Sequence, residues 1–297
     1  MSRLHIDIIA AAAVIVAIVV GVSCGAQRHR PKPPPVPAPV PTPSATLLFS
    51  DEFNDITSIA KGGKWQTSWP LGQGAYGNAS YGEVQYYVNT QAGEQYAQPF
   101  SVTNGVLAIT ARPTAGLPQQ APNASEPPFP NVYSSGLLGT AKTFAPTFGY
   151  LECRVQTPKG RGFWPLVQMF ALDSKGNYFS GACELDLVQC SSRIANEFYP
   201  AIMDKGNVLT GKFVAAGVDL SADFHVYGME VTSTKINFYF DGKLVMSGAT
   251  PAGAKLSKFI AIDLAVGDGD PNGWIGVPDG STQTLYVDYV RFWSSKP

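Results

Sequence analysis

Tyr150-Leu151-Glu152-Cys153-Arg154-Val155-Gln156 alternates apolar and polar side chains over its whole length. Successive residues of an extended strand point to opposite faces, so this segment buries one face only as part of a sheet with a core on one side and an open surface on the other. The pattern returns in Ile236-Asn237-Phe238-Tyr239-Phe240, which runs into the hairpin signal Asp241-Gly242, and again from Leu285 to Phe292. Short segments of this kind, separated by Gly and Pro turns and with no long amphipathic helix between them, predict an all-β fold of two stacked antiparallel sheets. The 297 residues suffice for one large core and hardly for two domains.

Charge and rare residues exclude several chemistries. A net charge of −1, with 14% charged residues, gives no field that would gather phosphates, so nucleic acid is not an expected partner. His5, His29 and His225 are the only imidazoles, too few for a multi-histidine metal centre in the folded part. Cys24, Cys153, Cys183 and Cys190 contain no CxxC pair, and no GxSxG elbow occurs, so zinc-knuckle, thioredoxin-like and serine-hydrolase chemistry lack their parts. Cys183 and Cys190 lie too far apart along one extended strand to bridge each other.

Three regions follow from composition. Residues 1–27 contain an uncharged Ile, Val and Ala stretch from Ile8 to Gln27 and read as a signal peptide or membrane anchor. Gly21-Val22-Ser23-Cys24 approximates a lipoprotein box, while Arg28, Arg30 and Lys32 outnumber Arg3 and oppose export of an uncleaved anchor. Residues 28–45 are a Pro-rich linker, expected to be extended polyproline II that holds a domain away from a surface. Residues 46–297 form the domain. The expected location is secreted or extracytoplasmic, with membrane or lipid attachment through the N-terminus, and the expected state is a monomer. Asn78-Ala79-Ser80 and Asn123-Ala124-Ser125 are glycosylation sequons that matter only in a eukaryotic host. The GxGxxG at Gly72 to Gly77 has no strand-to-helix context and carries no dinucleotide reading.

The segment that carries chemistry is Gly181-Ala182-Cys183-Glu184-Leu185-Asp186-Leu187-Val188-Gln189-Cys190. Glu184 and Asp186 share one strand face, where their mutual repulsion makes one of them hold its proton more tightly than normal. An acidic solvent face is the plain alternative for such a strand. Glu-Leu-Asp followed by two aliphatics and an amide resembles the E-x-D-x-x-E strand of glycoside hydrolase family 16, the β-1,3- and mixed-linkage glucanases and their relatives. Further segments are similar in order along the chain: Phe49 to Phe53, Gly82-Glu83-Val84-Gln85-Tyr86-Tyr87, Phe100 to Leu107 as a following strand, Ser135-Gly136-Leu137, Phe148-Gly149-Tyr150, Gly162-Phe163-Trp164-Pro165, Leu264 to Gly267 and Val287 to Arg291.

The resemblance implies a β-sandwich jelly roll of two curved sheets with a concave glycan-binding cleft, and a retaining double displacement on a β-glucan or related polysaccharide. Glu184 maps to the nucleophile, Asp186 to its helper and Gln189 to the place of the proton donor. Strict alternation would turn position 189 toward the core, so a β-bulge at Leu187-Val188 is expected to return it to the cleft face. An amide has no proton to give at neutral pH, so hydrolysis is expected to be impaired. Tyr81 and Gln168 are further departures from the family pattern. Glu83, Trp164 and Trp274 are the substrate-binding residues the resemblance implies. It requires no cofactor for the chemistry but implies a structural calcium on the convex side, with Glu52 and Gly105 contributing carbonyls and Asp288 its carboxylate. Asp268 to Gly273 with Asp279 also fits a calcium-loop pattern, against a plain polar turn at the cleft rim. The alternative to a glycosidase is a non-catalytic glycan-binding cell-surface protein on the same scaffold.

Overall fold

In a computed structural model, the described residues are 44–70, 81–119, 130–179, 181–267, 269–270 and 272–297. The N-terminal apolar segment, nearly all of the Pro-rich linker, both sequons and the GxGxxG stretch lie outside them. In chain order the strands are β1 (Leu47–Asp51), β2 (Gln85–Tyr87), β3 (Phe100–Thr103), β4 (Val106–Pro113), β5 (Tyr133–Ser135), β6 (Leu137–Gly139), β7 (Gly149–Gln156), β8 (Phe163–Ala171) and β9 (Glu184–Gln189). They continue as β10 (Glu197–Phe198), β11 (Ala201–Asp204), β12 (Asn207–Gly211), β13 (Val214–Ala215), β14 (His225–Val231), β15 (Lys235–Phe240), β16 (Lys243–Ala249), β17 (Lys258–Val266) and β18 (Gln283–Trp293). No α-helix occurs among the described residues, and no helix there is long and apolar enough to cross a membrane.

Two sheets carry the fold. The larger runs β16-β15-β14-β7-β18-β4-β5-β2, with β1 paired to β18 and β3 to β4; the smaller runs β12-β11-β9-β8-β17-β6. The expected alternation in β7 is realised: Leu151, Cys153 and Val155 are fully buried while Glu152, Arg154 and Gln156 are half-buried. Asp241 and Gly242 both take positive φ, 44° and 76°, as the tight turn joining β15 to β16 requires. Between the sheets Leu107, Ile109, Tyr227, Phe238 and Val290 of the larger meet Val167, Met169, Leu185, Ile202 and Ile262 of the smaller in one continuous core.

Two details differ from the sequence reading. Phe100 to Leu107 is not one strand: Asn104 and Gly105 adopt φ of 52° and 77° and fold β3 back on β4. The arrangement is also not wholly antiparallel, because β2 pairs parallel with β5. A parallel neighbour needs a crossover, and the β3–β4 hairpin lies within the chain between these two strands.

The smaller sheet positions the site. On β8, Val167 and Met169 point into the core, while Trp164, Leu166, Gln168 and Phe170 face away from it into a cleft. On β17, Ile260, Ile262 and Leu264 are core residues and Asp263 lines the cleft. The outer face of this sheet is therefore the cleft floor.

Candidate active site

Strand β9 delivers three side chains to the cleft by breaking its own alternation. Its partners on β8 are Phe170 for Glu184, Gln168 for Asp186, Val167 for Val188 and Leu166 for Gln189, with a register shift between Val167 and Gln168. Leu187 is thus the extra residue, and a bulge stands where the spacing predicts one. Leu185, Leu187 and Val188 enter the core, and Glu184, Asp186 and Gln189 all line a cleft of about 440 Å³.

The two carboxyls are bound together from β8. Gln168 Nε2 donates to Glu184 Oε1 and to Asp186 Oδ1, each at 2.7 Å. Gln168, read from sequence only as a departure from the family pattern, is therefore a direct partner of the acidic pair. Burial first, and then the charge of Asp186, push the Glu184 carboxyl well above its ordinary value. Burial likewise raises Asp186, whose hydrogen bonds with Gln168 and Glu184 oppose the rise. The pair therefore retains one proton above the usual carboxylate range.

A third carboxyl, absent from the sequence reading, lies in the same floor. Asp263 is 1% exposed; its Oδ1 accepts from the Tyr87 hydroxyl at 2.7 Å, and its Oδ2 is buried with no partner among the described residues. Burial and the negative charges of Glu83 and Asp186 hold it well above the carboxylate range, against the Tyr87 bond. The signal available in sequence was a lone acid inside Phe259 to Val266, an otherwise apolar run on a strand buried along its whole length.

Aromatic rings flank this floor. Trp164 lines the cleft as expected, with Tyr81 edge-on at 6.4 Å. Near Glu184, Trp69 stacks with Tyr178 at 6.3 Å, and both rings meet Phe170 edge-on. Glu83 also lines the cleft and accepts from Gln85 Nε2 at 2.7 Å. Trp274 is not among the lining residues. Its indole N–H donates to Glu197 at 3.1 Å and its ring packs edge-on against Phe213, which holds it beside β10 and β13.

The convex-side calcium donors do not assemble a site. Glu52 directly follows Asp51, which pairs with Val290 of β18, the strand that carries Asp288, and Gly105 approaches the Glu52 carbonyl. However, Asp288 is ion-paired to Arg154 at 2.6 Å, and Glu52 makes a two-pronged pair with Arg291 at 2.8 and 2.7 Å. One carboxylate already neutralised by a guanidinium, plus carbonyls, is a poor donor set for a divalent cation. No cluster of three His, Cys, Asp or Glu fit to hold a metal occurs among the described residues. Asp268 and Pro271 of the second loop lie outside those residues; there Asp270 accepts from the Asn272 amide and Asp279 from Ser281, as in an ordinary polar turn.

A two-sheet sandwich with paired carboxyls and aromatic rings in a cleft on one sheet is the architecture of a glycan-processing or glycan-binding protein. The model for Glycosyl hydrolases family 16 matches residues 84–259, and the chain belongs to that family. It is 33% identical over 259 residues to the endo-1,3-1,4-beta-glycanase EglC of Rhizobium meliloti (strain 1021), a match covering 84% of this chain and 52% of that protein. With endo-1,3-1,4-beta-glycanase ExsH of the same organism it shares 32% over 254 residues, covering 83% and 51%. The chain thus spans about half the length of these curated relatives. In fold it is similar to the laminarinase catalytic domain of Thermotoga maritima MSB8, with a TM-score of 0.65 at 24% identity over 85% of this chain and 99% of that one.

Proposed function

We propose that this chain is an exported family-16 protein that takes a β-glucan or related neutral polysaccharide into the cleft and hydrolyses it poorly. The observation that carries this reading is the Glu184–Asp186 pair on the cleft face, bound by Gln168 between aromatic rings. Among the described residues four carboxyls line the cleft, and neither Lys nor Arg does. A polyanionic glycan would meet only like charge there, which favours a neutral one.

Glu184 attacks the anomeric carbon once the proton of the pair has passed to Asp186, the covalent glycosyl intermediate forms with inversion, and water displaces Glu184 with a second inversion, so the configuration is retained overall. The departing oxygen needs a proton as its bond to carbon breaks. Gln189 stands where the family's proton donor belongs and offers only an amide hydrogen bond. Positioned general acids typically contribute about 10²- to 10⁴-fold, and hydrolysis of unactivated glycans falls accordingly. The rings and the pair still hold a sugar chain without that proton, so the same amide favours a second reading, a non-catalytic glycan-binding protein. In both readings residues 1–27 export or anchor a monomeric domain and residues 28–45 space it from the surface.

The experiment is Gln189→Glu, assayed on laminarin and lichenan alongside binding by the unmodified chain. A rise of two orders of magnitude or more over a weak parent that still binds supports the assignment of position 189. An active parent unaffected by the substitution refutes it.

A further inference from the structure

Asp263 has a donor geometry that its neighbours fix. The backbone N–H of Val266 donates to Gln85 Oε1 at 2.8 Å, so the Gln85 amide nitrogen must point the other way. That nitrogen donates to Glu83 Oε2 at 2.7 Å and to the Tyr87 hydroxyl oxygen at 3.0 Å. With its oxygen already accepting, Tyr87 spends its own proton on Asp263 Oδ1 at 2.7 Å. A neutral Asp263 therefore carries its proton on Oδ2, the oxygen with no partner among the described residues. An unpaired buried donor is costly, and a ligand oxygen placed against it relieves that cost.

Strand register says where such an oxygen would come from. Asp263 on β17 stands opposite Leu166 on β8, and Leu166 stands opposite Gln189 on β9. Adjacent strands are about 4.8 Å apart, so Asp263 and Gln189 face each other across about 10 Å of floor with Leu166 between them. That is room for one sugar ring, in the cleft that holds the acidic pair.

We propose that Asp263 is a specificity-determining hydrogen-bond donor that holds an oxygen of the sugar seated over Leu166, between itself and Gln189. The proposal rests on the glycan reading of the cleft and adds to it a residue that selects for a sugar with an acceptor oxygen at that place. The titratable groups around Asp263 are Tyr87 from β2, Glu83 just before that strand, and Asp186 and Glu184 from β9; those from β8 are neutral. None is a cation that would stabilise the ionised form. As pH rises Asp263 loses its proton, and the donor becomes a second negative acceptor facing the sugar.

The test is calorimetric binding of laminarihexaose to the full chain in an E184Q background, which prevents turnover, as a function of pH. Asp263→Leu should weaken binding about 10-fold, the usual order for leaving a ligand's polar group unpaired in a buried site. Asp263→Asn keeps a donor and should stay within about threefold at neutral pH. It should also lose the alkaline weakening that the Asp263 protein shows. A leucine variant that binds as well as the parent, an asparagine variant as weak as leucine, or an asparagine variant that keeps the alkaline weakening each overturns the proposal and leaves the glycan reading standing. An Asp263 protein that binds no laminarihexaose overturns both. Should Asp263→Leu fail to fold, the pH profile of the isosteric asparagine variant decides alone.

Discussion

Replacing Gln168 with Met removes one nitrogen's two hydrogen bonds while keeping the length and approximate volume of the side chain. Both bonds are 2.7 Å long and go to carboxyl oxygens of Glu184 and Asp186. A hydrogen bond to a charged group contributes about 1.5–3 kcal/mol, and the same bond to a neutral carboxyl about half of that. Ionisation of the pair in Gln168→Met therefore becomes harder by roughly 1–3 kcal/mol, which moves its titration up by about one to two pH units. The assay is inactivation by an activated 2-fluoroglycoside, whose leaving group needs no proton and which reports the ionised nucleophile. Its acid limb should shift upward by at least about one pH unit. Stability supplies a second reading. A carboxyl raised in the folded state binds more protons there than when unfolded, so stability declines from its unfolded value near pH 4 upward to the raised one. The substitution extends that decline: beyond the loss of the two neutral bonds already felt at pH 4, it should cost about 1–3 kcal/mol more at pH 8. An unmoved limb, or an equal cost at both pH values, refutes the assignment of Gln168 as the group that holds the pair's charge.

The unmodified protein should melt at a higher temperature at pH 5 than at pH 8, because Glu184, Asp186 and Asp263 are all raised; Asp263→Asn should flatten that slope in differential scanning calorimetry. Gly149→Ala places a Cβ 2.3 Å from the Trp293 carbonyl oxygen at a φ of +143°, and should cost at least about 1–3 kcal/mol in urea unfolding. Adding EDTA should leave the melting temperature unchanged, since Arg154 and Arg291 already engage Asp288 and Glu52; a drop of several degrees refutes that reading of the convex side.

What could be read from the chain alone follows the range of the forces involved. Alternation in β7, the Asp241-Gly242 turn and the bulge on β9 are local consequences of backbone geometry, and all three are present as expected. The partners of the acidic pair are set by which strands lie side by side. Gln168 is 16 residues from Glu184, and Asp263 lies 176 residues from the tyrosine that binds it. No spacing in the sequence places these together, so Gln168 reads from sequence only as a departure from the family pattern and Asp263 carries no site reading. The rings of Trp69 and Tyr178, and the Glu197 and Phe213 partners of Trp274, are unreadable for the same reason. The ion pairs of Glu52 and Asp288 are likewise unreadable, because the arginines that make them come from other parts of the chain.

Leu187 sets a parity rule for this surface. Upstream of it the even-numbered positions of its strand face the cleft; downstream the odd-numbered ones do. Deleting that single leucine would remove the bulge and restore plain alternation, with position 189 still on the cleft face but one residue nearer Asp186 along the chain. The bulge therefore fixes how far along the strand the third group stands from the acidic pair, while the side chain at position 189 decides only what that group can do.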